Sequence, residues 1–232
     1  MPFISALQKA CALPIVHKEF QGGYAKELAD VSRPGTFELF GLRVRAPAGV
    51  YSPHETSSTR FFMSHFRSLG LDKPPGNLLE IGCGAGAISL MAARLGWDVL
   101  ATDIDPLAVA TTRENALFNA ITLDACKSDL FSSLEGQTFD VILFNLPPYH
   151  VERPIELNER SLTDSDGLLY VRFMREAKRF LKPGGFVALS YANIANPRIF
   201  EQPGWHYDLR AFDYEAGANL TRALYRATPL LS

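Results

Sequence analysis

Residues 78–86 read L-L-E-I-G-C-G-A-G, and this stretch decides the fold of the chain. Its apolar start is bounded by residues 74–76 (P-P-G) and by its own glycines, which is typical of a buried strand. Residues 87–95 favour a helix that ends at Gly96. A strand that passes through glycines into a helix lets backbone N–H groups approach a ligand, with the positive end of the helix behind them. The stretch therefore predicts a site for a nucleotide-like ligand.

The glycine spacing alone does not name that ligand. Gly82, Gly84 and Ala87 also fit the G-x-G-x-x-[G/A] pattern of NAD sites, and a tight turn without a ligand has the same composition. The choice therefore depends on the residues at the ends of the next strands.

Two aspartates come after the second and third predicted strands. Asp103 stands directly after the strand at 98–102, where an acid can accept both hydroxyls of a ribose. Asp129 comes after the third strand and is placed to meet an exocyclic amine such as the adenine N6, although an aspartate in a simple turn has the same pattern. Together with the glycines, the two acids predict a pocket shaped for adenosine.

Strand-like and helix-like segments alternate along the chain from residue 78 onward. Apolar runs predict seven strands, at 78–81, 98–102, 121–125, 139–144, 186–191, 205–212 and 221–228. Helical patterns and start signals predict helices from Ser57 or Ser58 to 69, and at 87–95, 106–118 and 164–181. The alternation predicts a doubly wound, mostly parallel α/β sheet with helices on both faces and ligands at the carboxyl ends of its strands.

Residues 1–50 are predicted to be a small N-terminal extension to a main domain at 51–232. Segments at 3–13 and 24–31 are helix-like, and residues 37–45 alternate around Gly41 as a hairpin would. Residues 1–35 could serve as a lid over the substrate side, as a dimerisation arm or as packing, and the sequence does not choose among these roles.

The composition excludes several classes of protein. With 232 residues, 47% hydrophobic and 21% charged, the chain is typical of one sizeable globular domain. The formal charge of −2 indicates no strong attraction to nucleic acid, and no apolar run reaches the roughly 18 residues of a membrane span. Cys11, Cys83 and Cys126 form no C-x-x-C pair, which argues against a disulfide framework or structural zinc. We expect a cytoplasmic protein without a metal site.

The stretch from Leu78 to Tyr149 resembles the class I S-adenosylmethionine-dependent methyltransferases. E-I-G-C-G-A-G is similar to their first motif, T-D-I-D-P to the second, S-D-L-F to the third and N-L-P-P-Y to the fourth. V-Y-S-P-H-E-T-S at 50–57 and D-G-L at 166–168 resemble the HemK/PrmC-like small-domain methyltransferases within that class. The resemblance covers about residues 37–195, and it implies a Rossmann-like fold with S-adenosylmethionine as the cofactor.

The resemblance also implies roles for individual residues. Glu80, Gly82, Gly84 and Gly86 would surround the methionine part of the cofactor, while Asp103 would hold its ribose and Asp129 its adenine. Matching motif positions extend the cofactor site to Tyr51, Ser57, Cys83, Ile104, Leu130 and Asn145.

The fourth motif implies the acceptor chemistry. Relatives with [ND]-P-P-[YF] at this strand methylate nitrogen, on a protein glutamine or on the amino groups of adenine and guanine. The Asn145 side-chain carbonyl and a backbone carbonyl beside Pro147 and Pro148 would accept the N–H bonds, and Tyr149 would pack on the flat group. His150 is a candidate proton acceptor if the substrate is a protonated amine. We therefore expect an N-methyltransferase acting on a protein glutamine or a small-molecule metabolite, with nucleic acid less favoured.

The fourth motif departs from the family by one extra residue. Either Leu146 bulges out and leaves Asn145 and Tyr149 in their roles, or the register shifts and Leu146 replaces the amide. A second departure is Thr56, which stands where the family's loop usually has Asp. The rival class is an NAD-dependent oxidoreductase, which would need a nicotinamide site and a hydride-transfer acid or base, and residues 139–232 offer no obvious candidate.

Overall fold

A computed structural model describes residues 28–29, 33–54, 57–74, 76–151, 155, 159–165, 168–195, 200–215 and 220–230. The helix expected at 3–13 lies outside the described residues. Of the helix expected at 24–31, only Leu28 and Ala29 are described, and both are helical.

The strands form one large sheet and two small ribbons. In chain order they are β1 (Gly35–Leu39), β2 (Leu42–Ala46), β3 (Asn77–Ile81), β4 (Asp98–Asp103), β5 (Asp124–Lys127), β6 (Phe139–Phe144), β7 (Tyr149–Val151), β8 (Thr163–Ser165), β9 (Leu181–Ala192), β10 (Trp205–Glu215) and β11 (Leu220–Pro229). The large sheet has seven strands in the order β10-β11-β9-β6-β3-β4-β5. Its strands pair in parallel except β11, which is antiparallel to both β9 and β10. The predicted seven-stranded, mostly parallel sheet is confirmed.

Helices cover both faces of this sheet. They are α1 (Ser58–Ser64), α2 (Phe66–Leu69), α3 (Ala87–Arg94), α4 (Pro106–Phe118) and α5 (Leu168–Ala177), the last followed by a 3₁₀ turn at Lys178–Phe180. Neighbouring residues of β6 point to opposite faces of the sheet. Val141 belongs to the buried cluster that contains Phe62 and Leu90, on one face. Ile142 packs with Phe173 on the other face. This two-residue alternation buries the apolar run of β6 on both sides, as a doubly wound sheet requires.

The β1–β2 hairpin is fixed to α4 by two asparagines. Asn115 accepts the Arg45 N–H at 2.9 Å and donates to the Arg45 carbonyl at 2.8 Å. Asn119 makes the same pair of bonds with Arg43, at 3.0 and 2.8 Å. The two side chains thus continue the hydrogen bonding of β2, and they anchor the chain just before it enters the site at Gly49.

Several element bounds differ from the sequence predictions. β5 begins at Asp124 rather than at residue 121. The preceding residues end α4 instead, because Ala120 is left-handed (φ 54°) and the Ile121 N–H returns to the Ala116 carbonyl at 2.9 Å. β9 begins at Leu181 rather than at residue 186, and its pairing with β6 is interrupted between these positions.

The helix predicted at 164–181 is shorter in the structure. Residues Thr163–Ser165 form β8 instead, paired in parallel with β7. The Asp164 carboxylate accepts the Leu169 N–H at 3.1 Å and so begins α5 only after the strand. The helix predicted to end at Leu69 is divided at His65, whose Nδ1 lies 2.9 Å from the Phe61 carbonyl.

Candidate functional site

One cavity of about 690 Å³ opens at the carboxyl ends of β3, β4, β6 and β9. Most of the residues that the sequence singled out line it, namely Tyr51, Glu80, Gly82, Cys83, Gly84, Asp103, Ile104, Asp129, Leu130, Asn145, Pro147, Pro148 and Tyr149. Strand ends from across the parallel sheet therefore converge on one space, large enough for a nucleotide-sized ligand and a second group beside it.

The glycine turn after β3 has a left-handed backbone at its three glycines. Gly82, Gly84 and Gly86 have φ values of 69°, 54° and 81°. A Cβ on Gly86 would lie 2.8 Å from Cγ2 of Thr112 on α4. Gly86 is not among the residues that line the cavity, so in this structure its small size serves the close packing of α4 against the turn.

Glu80 lies beneath this turn and caps the following helix. Its Oε2 accepts the Ser89 N–H at 2.8 Å and also the Ser89 hydroxyl. Gly86, the residue at the helix N-cap, has no side chain for this purpose, so the carboxyl group from β3 takes over. Burial raises the pKa of Glu80 from its ordinary 4.5 to about 8, and the negative charge of Asp103 adds to the rise.

Asp103 is held by two backbone N–H groups at the end of β4. Its Oδ2 accepts the Gly84 N–H and its Oδ1 accepts the Asp105 N–H, each at 2.9 Å. Burial raises the pKa of Asp103, while these hydrogen bonds oppose the rise. Each carboxylate oxygen can accept a second hydrogen bond, and the residue lines the cavity. The group is therefore fitted to receive the two hydroxyls of a ribose.

Asp129 belongs to a turn and also lines the cavity. In the turn, its N–H donates to the Ser132 hydroxyl at 3.1 Å. Its Oδ2 forms an ion pair with Arg172 of α5 at 3.0 Å, between two half-exposed side chains. The second carboxylate oxygen is not used in this ion pair and can accept an amine.

The corner after β6 holds an amide with an unused carbonyl. Asn145 donates through Nδ2 to the hydroxyls of Ser58 and Thr59, at 3.1 and 3.3 Å. Its Oδ1 is buried and has no hydrogen-bond partner among the residues that the structure describes. A buried acceptor without a donor costs free energy, so this carbonyl oxygen is suited to receive an N–H from a ligand in the cavity.

The extra residue of the motif is absorbed between Asn145 and Tyr149. Leu146 donates its N–H to the Ser190 hydroxyl of β9 at 2.9 Å, and its side chain packs in the core beside Phe173. Tyr149 is buried and begins β7, donating its N–H to the Leu162 carbonyl at 2.8 Å. Asn145 and Tyr149 line the same cavity, which is the arrangement expected if Leu146 is accommodated without a register shift.

Ser57, like Gly86, is a sequence-predicted site residue that does not line the cavity. Ser57 is the N-cap of α1, where its hydroxyl accepts the Arg60 N–H at 3.3 Å. His150 belongs to β7, and its side chain lies outside the part of the chain that the structure describes. The sequence does not indicate that Ser58, Thr59 and Ser190 line the cavity. Their hydrogen bonds to Asn145 and Leu146 join segments that are far apart in the chain.

Within the described residues, no helix is long and apolar enough to cross a membrane. Within the same ranges, no three histidine, cysteine or acidic side chains are grouped so that they could hold a metal ion.

The chain is similar to one protein family and to several named proteins. Residues 41–198 match the family described as "methyltransferase small domain". A protein of Methanocaldococcus jannaschii, provisionally named a protein N5-glutamine methyltransferase, is 33% identical over 69% of this chain and 81% of its own length. A ribosomal RNA small subunit methyltransferase C of Chromohalobacter salexigens is 30% identical over 76% of this chain and 50% of its own length.

A solved structure shows the same fold. The 16S rRNA N2-guanosine methyltransferase of T. thermophilus, in complex with S-adenosylmethionine and guanosine, superposes with a TM-score of 0.64 at 22% identity. The likeness covers 85% of this chain and 50% of that one, so the chain spans about half the length of these two rRNA methyltransferases. The chain therefore belongs to the methyltransferase small domain family and is an S-adenosylmethionine-dependent methyltransferase.

Proposed function

We propose that this methyltransferase acts on the nitrogen of a carboxamide, either a glutamine side chain of a protein or an amide of a small metabolite. The observation that carries the proposal is the orientation of Asn145. Its Nδ2 donates to Ser58 and Thr59, its Oδ1 is buried with no donor among the described residues, and the residue lines the cavity. A primary amide supplies the N–H that this oxygen lacks.

Each part of a bound S-adenosylmethionine would contact a different group of the cavity. Asp103 would accept the ribose hydroxyls, the second oxygen of Asp129 would accept the adenine amine, and the turn at 82–86 would adjoin the methionine part. When bound there, S-adenosylmethionine supplies a methyl group that is electrophilic because it is attached to a positive sulfur. The residues of this chain then have to place the acceptor nitrogen in front of that methyl group.

The corner after β6 would place and polarise the acceptor nitrogen. The lone pair of an amide nitrogen is delocalised into its carbonyl, so the nitrogen is a weak nucleophile. An N–H bond donated to Oδ1 of Asn145 holds the amide in one orientation and stabilises the positive charge that develops on nitrogen as it is methylated. Tyr149 would cover the flat face of the group. The methylated nitrogen is acidic enough to lose its proton to water, so this step needs no strong base.

An amino group of a nucleobase is the second candidate, and the comparisons support it. One relative is named for ribosomal RNA, and a fold neighbour was solved with guanosine. The exocyclic amine of guanine is also conjugated and also carries N–H donors that Oδ1 of Asn145 could accept. We favour the carboxamide because the relative provisionally named for protein glutamine is matched over 81% of its length and the relative named for ribosomal RNA over 50%.

The experiment is a transfer assay with a deuterated methyl group on S-adenosylmethionine. The acceptors are acetyl-Gly-Gln-Gly with a free C-terminal carboxylate, in which the glutamine side chain supplies the primary amide, the same peptide with Glu in place of Gln, and guanosine. We expect a deuterated methyl group on the glutamine nitrogen, located by fragmentation in the mass spectrometer, and none on the Glu peptide. Methyl transfer to guanosine with none to the glutamine peptide would favour the nucleobase, and transfer to the Glu peptide alone would contradict N-methylation.

A further inference from the structure

We infer that Ser58 and Thr59 are positioning residues, which hold the side-chain amide of Asn145 so that its carbonyl faces the acceptor. This inference deepens the proposed function and rests on it, because it explains how the acceptor-binding atom is oriented. Both residues belong to the first turn of α1, and Asn145 comes directly after β6. The sequence alone indicates only a capping role for this serine-rich segment.

The contact geometry supports one orientation of the amide. The amide nitrogen has two N–H donors, and the two hydroxyl oxygens lie 3.1 and 3.3 Å from it. Both donors can therefore be used on the α1 side, which leaves Oδ1 without a hydrogen-bond partner among the described residues, in a side chain that lines the cavity. A rotation of 180° would put the NH₂ group in the place of Oδ1, where it could not accept an N–H from a substrate.

The hydroxyls are themselves fixed in place. Ser57 caps α1 through the Arg60 N–H, so the first turn of the helix has a defined start. Phe62 and Met63, from the same helix, are fully buried in the core on that face of the sheet. Thr59 is also buried, with 6% of its surface exposed. The helix cannot shift without losing this packing, and its hydroxyls therefore form a rigid support for Asn145.

The first test reads the amide directly and needs no acceptor. The Nδ2 protons of Asn145 are observed by nitrogen-15 NMR and identified by their absence in Asn145→Ala. We expect these protons to exchange with water at least about 10-fold faster in the variant carrying both Ser58→Ala and Thr59→Val, because both acceptors are gone. Ser64→Ala is the matched control, since the Ser64 hydroxyl on the same helix forms hydrogen bonds with its neighbours Phe61 and His65. Equal exchange in the wild type and the double variant would overturn the inference.

The second test is a double-mutant cycle on turnover, using whichever acceptor of the transfer assay is methylated. We expect the double variant to lose about 10-fold in kcat with an unchanged affinity for the cofactor, and Thr59→Ser, which keeps a hydroxyl, to stay near the wild type. In an Asn145→Ala background the same two substitutions should change kcat less than about twofold, because the group they orient is absent. An equal loss in both backgrounds would show that the hydroxyls act elsewhere. If no acceptor is methylated, the proposed function fails while the NMR test still decides the inference.

Discussion

Replacing Asp103 with alanine tests the cofactor site most specifically. The substitution removes two carboxylate oxygens that line the cavity and that already accept N–H bonds from Gly84 and Asp105 at 2.9 Å. A lost hydrogen bond to a charged group is worth roughly 1.5–3 kcal/mol, so the dissociation constant for S-adenosylmethionine should rise about 10- to 150-fold. The variant also leaves two backbone N–H groups without partners, and its thermal midpoint should fall for that reason.

The assay is isothermal titration calorimetry with S-adenosylmethionine on the folded variant, checked by circular dichroism. Asp98→Ala is the matched control, because Asp98 is an exposed acid at the opposite end of the same strand. We expect the control to bind as the wild type does. Wild-type affinity in a folded Asp103→Ala protein would refute the assignment, since the ribose would then be held by other groups.

Three further predictions concern the groups around this site. Between pH 4.5 and about 8 the folded protein holds a proton on Glu80 that the unfolded chain has lost. The free energy of unfolding should therefore fall by about 1 kcal/mol per pH unit as the pH rises through this range. Urea denaturation at pH 5.5 and 7.5 should show a shallower fall in Glu80→Gln, and identical slopes would contradict the raised pKa. Leu28 packs against the cluster of Tyr149, Leu162, Ala192 and Ile194. Leu28→Asp should therefore raise the acceptor KM, while Ala29→Asp, at an exposed position, should not. Equal acceptor KM values in the two variants would argue against residues 1–35 covering the acceptor side. Tyr149→Ala should mainly raise the acceptor KM while Tyr149→Phe stays mild, and a large effect of the phenylalanine variant would assign the role to the hydroxyl.

The sequence predicts the sheet well because its strands are short apolar runs between strong turn signals. The run at 139–144 can be buried only as a central strand, and the glycines at 82–86 permit a backbone that few other residues adopt. The strand expected at 121–125 begins later in the structure, because its first apolar residues pack at the end of α4 instead of pairing in the sheet. Local composition does not distinguish these two uses of an apolar side chain.

The site was predictable where one motif contains all the interacting atoms, and less so elsewhere. Glu80 was expected beside the cofactor, and the structure adds that it caps α3 through Ser89. The support of Asn145 by α1, and the bond from Leu146 to Ser190, depend on packing between distant segments. The extra residue left two registers open in the sequence, and these contacts favour the one in which Asn145 keeps its place.

The central claim is that the Asn145 carbonyl acts on the acceptor and not on the cofactor. The most direct measurement is kcat and cofactor affinity of Asn145→Ala, with the acceptor that the transfer assay identifies. We predict a fall in kcat of about 100-fold or more with an affinity for S-adenosylmethionine within about twofold of the wild type, as for the loss of a transition-state hydrogen bond. A near-normal kcat in the folded variant would contradict the account and would place the acceptor nitrogen against other side chains.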